Sequence, residues 1–376
     1  MVVGNENPGK KRGGLSMQTY FILTINPGST STKVAVYKNE RALFTQTVEH
    51  DSAVLEAFPT VNAQFEFREK TVLEILKAQQ FDCHQLAAVV GRGGLLPPID
   101  AGGYGVNQAM KALILEGHLS PHASNLGALL ADAIAAPLGI PAYIYDAVSS
   151  DEMEDIARIT GFPEIHRKSL CHVLNSKAMG RKYANEMGKH YSEMNLVIAH
   201  LGGGISISAH KKGRIIDVIA DDTGPFSPER SGGLPLLALV ELIYSGHYHK
   251  NELVKKIRGQ GGLKAHLGTS DIRDIEKRIL SGDNKAKQIY AALAYQIAKG
   301  IGEMAVVLKG EIDAIILTGG MAYSEKLTTM IKAYIAFLAP VQCLPGENEM
   351  EALALGGLRL LRGEEAARVF CRDFKA

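Results

Sequence analysis

Short apolar segments alternate with turn residues near the start of the chain. Apolar and β-branched residues cluster at positions 20–25, 33–37 and 42–48, and this pattern predicts a meander of short strands. Apolar residues then recur at intervals of three and four in 67–76 and 125–138, which predicts two helices.

Two uniformly apolar segments, 86–90 and 142–145, have the pattern of buried strands between these helices. The alternation of strands and helices predicts an α/β fold. After a helix-like stretch at 169–187 the pattern begins again with further strand candidates. They occupy 195–199, 205–209 and 214–219.

Both parts of the chain open with an apolar strand, a turn rich in Ser or Gly, and a second strand. The two sequences are INPGSTSTKVAVY and IAHLGGGISISAH. A long helical stretch at 284–308 then leads into a strand at 313–317, two glycines and a helix from Ser324. A duplicated unit of this size predicts two similar domains that face one another across a central cleft.

The length of 376 residues favours two domains over one. We predict a disordered extension at 1–16, an N-terminal α/β domain at 17–148 and a C-terminal nucleotide-binding α/β domain at 149–354. Residues 355–376 are expected to complete the first domain. The extension lacks the apolar core of roughly 7–15 residues that a secretory signal requires. We expect either an alternative start at Met17 or a non-native addition at 1–16.

Composition excludes several classes of function. With 41 basic and 40 acidic residues, the chain has no field that would attract nucleic acid or an anionic membrane. No apolar run approaches the roughly 20 residues of a membrane span. The four cysteines are scattered without metal or redox spacing, so we expect free thiols in a reducing cytoplasm.

Three turns after predicted strands are candidates for binding a nucleotide. The first presents hydroxyls and one ammonium after a tight bend at Gly28, although its spacing differs from the Walker pattern and an ordinary hairpin is the alternative. The second is a glycine turn that lets an anion approach the backbone closely. The third, at the end of the strand at 313–317, is a glycine turn and a candidate for the nucleoside part of the nucleotide. The candidate residues are Asn26, Ser29, Ser31 and Lys33, then His200, Gly202, Gly203 and Gly204, then Gly319 and Gly320.

Four further side chains are candidates for chemistry. Arg92 and Arg230 lie in small-residue loops and suit a carboxylate or phosphoryl group, although surface ion pairs are the commoner fate of an arginine. Asp146 follows a buried strand, where it suits a magnesium ion or its second shell, or caps a helix. His172 lies in the helix-like stretch and suits a developing phosphoryl charge, although a packed histidine is commoner.

Seven segments together resemble the acetate kinase family of the actin-like and sugar kinase superfamily, and within it the members that act on butyrate. The resemblance runs from Tyr20 to Gly357. It is carried by INPGSTSTK, the arginine of VVGRGG, YDAVSSDEM, RKSLCH, IAHLGGGIS, DDTGPFSPERSGG and ILTGG.

The resemblance implies duplicated actin-like, ribonuclease H-like domains and a reversible transfer of the ATP γ-phosphoryl group to a short-chain carboxylic acid. The products are ADP and the acyl phosphate, and Mg²⁺ and at least a dimer are expected. Arg92, Asp146, His172 and Arg230 match the residues around the transferred group. Glu349 matches a magnesium-associated glutamate, with Glu347 as its competitor.

The sequence departs from acetate kinases where Gly93, Gly94 and Cys171 replace bulkier apolar residues, which predicts a roomier pocket for a longer acyl chain. Butyrate, isobutyrate and other short branched acids stay open as substrates. Two other functions share the expected fold. They are an actin-like protein that assembles with nucleotide, and a sugar kinase with a carboxylate base.

Overall fold

The computed structural model describes residues 18–220 and 222–372, and the predicted extension at 1–16 lies outside these ranges. Within them, no helix is both long and apolar enough to cross a membrane.

The elements up to residue 158 build most of a first sheet and its outer helices. They are the strands β1 (Phe21–Pro27), β2 (Ser31–Lys38), β3 (Arg41–Glu49), β4 (Leu86–Arg92), β5 (Gly103–Gly105) and β6 (Ala142–Tyr145), and the helices α1 (Ser52–Glu56), α2 (Phe65–Ala78), α3 (Gln108–Leu115), α4 (Leu126–Ala135) and α5 (Asp155–Arg158).

The later elements build a second sheet, its helices and a return to the first sheet. The helices are α6 (Val173–Glu186), α7 (Leu236–Tyr244), α8 (Lys250–Arg258), α9 (Gly262–Leu267), α10 (Ile272–Leu280), α11 (Asn284–Val307), α12 (Glu325–Ile335) and α13 (Glu349–Arg362). The strands are β7 (Asn195–Leu201), β8 (Ile205–Lys211), β9 (Arg214–Ile219), β10 (Ala314–Gly319), β11 (Val341–Pro345) and β12 (Arg368–Val369).

The two sheets repeat one topology. The first has the order β12-β5-β6-β4-β1-β2-β3 and the second the order β11-β10-β7-β8-β9. In each, three consecutive strands form an antiparallel meander, and a later strand pairs in parallel with the first strand of that meander. The duplication and the α/β class predicted from sequence are therefore confirmed.

Burial explains why the central strands are almost continuously apolar. β1 is buried along nearly its whole length and β7 likewise, because helices cover both faces of each sheet. The edge strand β3 is mostly exposed, and its residues are correspondingly mixed in polarity.

Two helices lie between the sheets. α13 packs through Leu353 and Leu358 on the first sheet, while α6 packs through Met179 and Ala184 on the second. α6 and α13 also contact each other. The opposite faces of the sheets carry α2, α3 and α4 on one side and α11 and α12 on the other.

Some predicted boundaries shift in the structure. The helix expected at 169–187 begins only at Val173, because His172 occupies the N-cap position and Ser169 donates a hydrogen bond to the Ser150 carbonyl. The sequence patterns did not predict α7 to α10 or the strand β5. The domain boundaries stay a prediction, although α13 crosses position 354 as one helix and β12 pairs with β5 in the first sheet.

We expect close backbone packing between β4 and α4 to make Gly127 irreplaceable. A methyl group on Gly127 would lie 2.2 Å from the Arg92 carbonyl oxygen. Gly127→Ala should therefore lower the free energy of unfolding by about 1–3 kcal/mol, as overpacking does. Urea denaturation measures this change.

Gly302 in α11 is the matched control, because nothing lies within 4 Å of a methyl group built there. Gly302→Ala should leave stability unchanged or raise it by up to about 1 kcal/mol. Equal stabilities of the two variants would show that β4 and α4 tolerate the added methyl group.

Candidate active site

A cavity of about 370 Å³ brings together residues from both halves of the chain. Arg92 reaches it from the end of β4, and Arg230 reaches it from the loop between β9 and α7. The cavity is also lined by Asp146, His172 and Glu349. All five side chains singled out for the phosphoryl group or the metal thus border one space.

Glu349 joins Arg92 to the end of β1. The Arg92 Nη1 atom lies 3.0 Å from Glu349 Oε1, and Asn26 Nδ2 donates a 2.5 Å hydrogen bond to Glu349 Oε2. Arg92 Nε is buried and has no hydrogen-bond partner among the described residues. A buried donor of this kind is costly to leave unpaired, so it suits a ligand oxygen.

The loop that carries Arg230 is tied to the glycine turn after β7. Ser227 Oγ donates a 2.6 Å hydrogen bond to the Gly203 carbonyl and accepts one of 3.1 Å from the Arg230 N–H. A methyl group on Gly204 would lie 2.9 Å from the centre of the Arg230 guanidinium. Gly204 therefore makes room for the arginine side chain. Burial lowers the pKa of Arg230, and the nearby Arg258 adds to this effect.

Both carboxylate oxygens of Asp146 have partners within the protein. Its Oδ1 accepts a 2.8 Å hydrogen bond from the Gly102 N–H, and its Oδ2 lies 3.1 Å from Arg181 Nη1. The backbone at Asp146 has φ of 41°, an uncommon value for a residue other than glycine. The helix-cap alternative is wrong, because no helix begins beside it.

Two histidines stack between the halves of the site. The rings of His172 and His200 lie 3.7 Å apart and nearly parallel. Burial lowers the pKa of His172 to about 4, with further lowering by Arg92 and Arg230. Burial also holds the pKa of His200 well below its usual value. Both imidazoles are therefore neutral near pH 7.

Hydrogen bonds fix the proton of His200. Asn175 Nδ2 donates to His200 Nδ1 at 2.9 Å, so the ring carries its proton on Nε2. That Nε2 is buried and has no hydrogen-bond partner among the described residues, and it lies 2.9 Å from where a Gly202 methyl group would be. The glycine turn thus covers an N–H that is available to an incoming oxygen.

A second cavity of about 730 Å³ adjoins the glycine turns of the second sheet. Gly202, Gly203 and Gly320 line it, together with Glu347, so the competing glutamate borders a different cavity from Glu349. Gly319 lies beneath, with φ of 87°, and a methyl group there would lie 2.5 Å from the Leu201 carbonyl oxygen.

Of the candidate residues in the first turn, between β1 and β2, only Asn26 is connected to these cavities. Asn26 reaches the site through Glu349, whereas Ser29, Ser31 and Lys33 line neither cavity. Ser29 is exposed and Ser31 is partly buried where β2 begins.

Known proteins are similar to this chain over nearly its whole length. Butyrate kinase 2 of Clostridium acetobutylicum is 50% identical over 353 residues, which cover 93% of this chain and 99% of that protein. A probable butyrate kinase of Clostridium botulinum is 46% identical over 354 residues, or 94% of this chain and 100% of that protein. A model of the acetokinase family matches residues 165–340.

This chain belongs to the acetokinase family.

Solved structures share the fold of this acetokinase-family chain. Acetate kinase of Porphyromonas gingivalis superposes with a TM-score of 0.76 at 18% identity, covering 91% of this chain and 100% of that one. A propionate kinase of Francisella tularensis gives a TM-score of 0.68 at 17% identity, covering 90% and 98%.

The expectation that Gly93 and Gly94 enlarge the acyl pocket is wrong for this protein. A methyl group on Gly93 would lie 2.5 Å from the Ala147 side chain, and one on Gly94 would lie 2.2 Å from Asn125 Oδ1. Neighbouring protein atoms fill the space that the glycines leave. Cys171 does line the cavity, as predicted.

Several residues that line the two cavities escaped the sequence analysis. Arg258 adds a third guanidinium to the smaller cavity, where His122 also lies. Asp271 and Arg273 line the larger cavity at the start of α10. The polar run TSDIRD was the available signal for the last two, but it lies far in sequence from the glycine turns at 202–204 and 319–320.

We expect the buried histidines to make the protein less stable in mild acid. In the unfolded chain His172 takes up a proton near pH 6.5, whereas in the folded protein it stays neutral until about pH 4. The unfolded state binds more protons in that window, so the free energy of unfolding falls as the pH drops through it. Urea unfolding between pH 7.5 and 5 measures the slope.

A His172→Gln variant should lose less stability over the same pH range than the unchanged protein. His118 is exposed, and His118→Gln serves as the matched control that keeps the original slope. Identical slopes for all three proteins would show that His172 takes up its proton equally in both states.

Proposed function

We propose that this protein is a butyrate kinase that transfers the ATP γ-phosphoryl group to butyrate or a related short- or branched-chain fatty acid. The observation that carries the proposal is the meeting of Arg92 and Arg230, from different sheets, at one cavity beside the larger cavity of the glycine turns. The butyrate kinase relatives, matched over nearly their whole length, support the choice of acid.

The reaction needs no general base. A carboxylate oxygen of the acid forms a bond to the γ-phosphorus, the bond from that phosphorus to the β-phosphate oxygen breaks, and its electron pair leaves with ADP. No proton moves, so catalysis reduces to positioning and charge stabilisation. We assign the carboxylate to Arg92, whose Nε has no partner among the described residues, and the transferred group to Arg230.

His172 contributes as a neutral donor in this proposal. Burial and the guanidinium groups of Arg92 and Arg230 lower its pKa, so the ring is neutral rather than an imidazolium. His172 Nδ1 lies 2.8 Å from Ser206 Oγ, which orients the ring. A positioned neutral donor stabilises developing charge without bringing a further cation into the cavity.

The nucleoside half of ATP fits the larger cavity, where Asp271 and Arg273 offer polar contacts and Met321 an apolar one. His200 Nε2 and the N–H groups of the glycine turn then face the phosphates. We retain Asn26, Ser29, Ser31 and Lys33 as the loop for the phosphate chain from the first sheet.

A magnesium ion fits only as a metal shared with the phosphates. Among residues 18–220 and 222–372, no group of three or more His, Cys, Asp or Glu side chains is arranged to hold a metal. Mg²⁺ commonly uses one or two carboxylates plus substrate phosphates and water. We propose that Glu349 would hold it, with Asp146 oriented behind by Arg181, and that it would neutralise phosphate charge.

Apolar side chains of the smaller cavity offer a place for the acyl chain. They are Leu95, Val148, Leu170, Cys171, Val173 and Leu174. Each buried methylene contributes about 0.8 kcal/mol, so the cavity biases selection among neighbouring acids without enforcing it.

The geometry disfavours the sugar kinase. Asp146 and Glu349 are the carboxylates that line the smaller cavity, and both are engaged by arginines. Neither is available as the base that a sugar hydroxyl requires. An actin-like assembly protein would not need two converging arginines.

The test is phosphotransfer from ATP with magnesium across acetate, propionate, butyrate, isobutyrate and a sugar panel, with acyl phosphate trapped as the hydroxamate. We expect the short-chain acids to react, with butyrate or isobutyrate preferred, and the sugars to be inert. Turnover on sugars alone, or ATP-dependent light scattering without hydroxamate, would favour one of the other two functions.

Arg230→Ala should lower kcat by about 10²–10³-fold, as loss of one charge-stabilising group does. The exposed Arg214, at the start of β9, is a matched control whose change to alanine should leave kcat unaltered. Near-normal turnover of Arg230→Ala would remove that residue from the site.

We also propose at least a homodimer, in a reducing cytoplasm where the four cysteines stay free thiols. The helix α7 supports this association, since Leu236, Leu237 and Tyr244 are all more than 70% exposed, at 74%, 83% and 85%. A row of large apolar side chains in water is typical of an interaction surface.

Leu237→Glu should shift the protein toward the monomer in analytical ultracentrifugation. Leu280 is 83% exposed as well but lies on α10, so Leu280→Glu is the matched control and should leave the assembly intact. An unchanged assembly in both variants would place the interface elsewhere.

A further inference from the structure

Arg68, on α2, is fully buried behind the turn that joins β1 to β2. Its Nη1 atom donates hydrogen bonds to the Ser31 carbonyl at 2.8 Å and to Thr32 Oγ1 at 3.0 Å, and its Nη2 atom donates to the Ser29 carbonyl at 3.5 Å. These acceptors belong to the turn assigned above to the phosphate chain of ATP.

The buried charge of Arg68 has no acidic partner within the described ranges. Its remaining contacts are the hydrogen bonds of Nε and Nη2 with the Gln64 side-chain oxygen, at 3.1 and 3.0 Å. Burial lowers the pKa of the guanidinium, with no carboxylate to oppose that effect. Charged side chains are almost never fully buried unless paired, so the structure keeps a costly cation at this place.

A histidine completes the support of the turn. The His50 N–H donates a 2.7 Å hydrogen bond to the Thr30 carbonyl. Thr32 Oγ1 accepts from Arg68, so its own hydrogen is directed to His50 Nε2, 2.8 Å away. Three consecutive carbonyl oxygens of the turn thus accept hydrogen bonds. Arg68 donates to those of Ser29 and Ser31, and the backbone N–H of His50 donates to that of Thr30.

Peptide geometry turns this support into an anion site. The carbonyl of one residue and the N–H of the next belong to one planar unit and point in opposite directions. Holding the carbonyl of Ser29 toward Arg68 therefore turns the N–H of Thr30 away from it. Backbone N–H groups presented by a turn attract anions.

We propose that Arg68 is a positioning residue for the phosphate chain of the nucleotide: it fixes the turn from behind, and the phosphates on the other side are the counter-ion of its buried charge. This inference rests on the proposed use of ATP. It predicts a role limited to phosphate binding, because the larger cavity for the nucleoside is built on the second sheet.

The test compares the affinities for ATP and AMP in Arg68→Met, Arg68→Lys and the unchanged protein by isothermal titration calorimetry. Arg68→Met should weaken ATP binding by roughly tenfold or more, since hydrogen bonds to a charged group are among the stronger ones. AMP binding should stay within about twofold. Arg68→Lys keeps the charge but not the fork of donors. Its affinity for ATP should lie between those of Arg68→Met and the unchanged protein.

Kinetics provide a second readout. The KM for ATP should rise in Arg68→Met while the KM for butyrate stays nearly constant. Arg158→Met is the matched control, because Arg158 is a partly buried arginine that pairs with Asp151 away from the turn. That variant should lose stability without a change in the KM for ATP.

Unchanged ATP affinity in a folded Arg68→Met protein would overturn the proposal. An equal loss for ATP and AMP, in step with a smaller folded fraction, would also overturn it by reducing Arg68 to a structural role. If Arg68→Met does not fold, an Arg68→Lys protein with full ATP affinity would count against it in the same way. Failure of the unchanged protein to bind ATP would instead refute the proposed function.

Discussion

An ion pair joins the first residue of α13 to the last residue of β4, and the site takes its shape around it. Glu349 lies 3.0 Å from Arg92 and also accepts the hydrogen bond of Asn26, so one carboxylate fixes the ends of two neighbouring strands. Both partners of the pair are largely buried, at 22% and 15% side-chain exposure. α13 also packs against α6, whose N-cap is His172. The ion pair therefore lies at the start of one of the two helices through which the sheets face each other.

The two helices between the sheets also contribute to the electrostatics. α6 and α13 both begin at the smaller cavity, and helix N-termini favour anions. Guanidinium groups approach from Arg92, Arg230 and Arg258, whereas the histidines stay neutral. Fixed donors therefore surround a space with little free negative charge, which suits the oxygens of a phosphoryl group more than a neutral substrate.

The duplicated halves present their turns in different ways. In the second half, glycines form the turn, and the buried His200 and the loop around Ser227 lie next to it. In the first half, hydroxyl-bearing residues form the turn, and a buried guanidinium holds its carbonyls. One topology thus gives two unlike surfaces, and the proposed ATP would contact different groups on its two sides.

Local patterns allowed much of the fold to be predicted. The strands of both meanders and the helix α11 follow from apolar clusters and from periodicity, because these features depend on residues close in sequence. α7 escaped prediction, since a helix with exposed apolar residues lacks the polar face that marks an amphipathic one. β12 is too short to have a pattern of its own and is defined by its pairing with β5.

The sequence by itself determined the duplication, the three turns and the identity of five charged or titratable side chains that line the smaller cavity. Only the tertiary structure decided that Arg92 meets Arg230 and Glu349, because such contacts depend on how two sheets pack through α6 and α13. It also decided that neighbouring atoms fill the space beside Gly93 and Gly94, and that His172 is neutral. Burial sets both properties, and burial is a property of the whole packed molecule rather than of any segment.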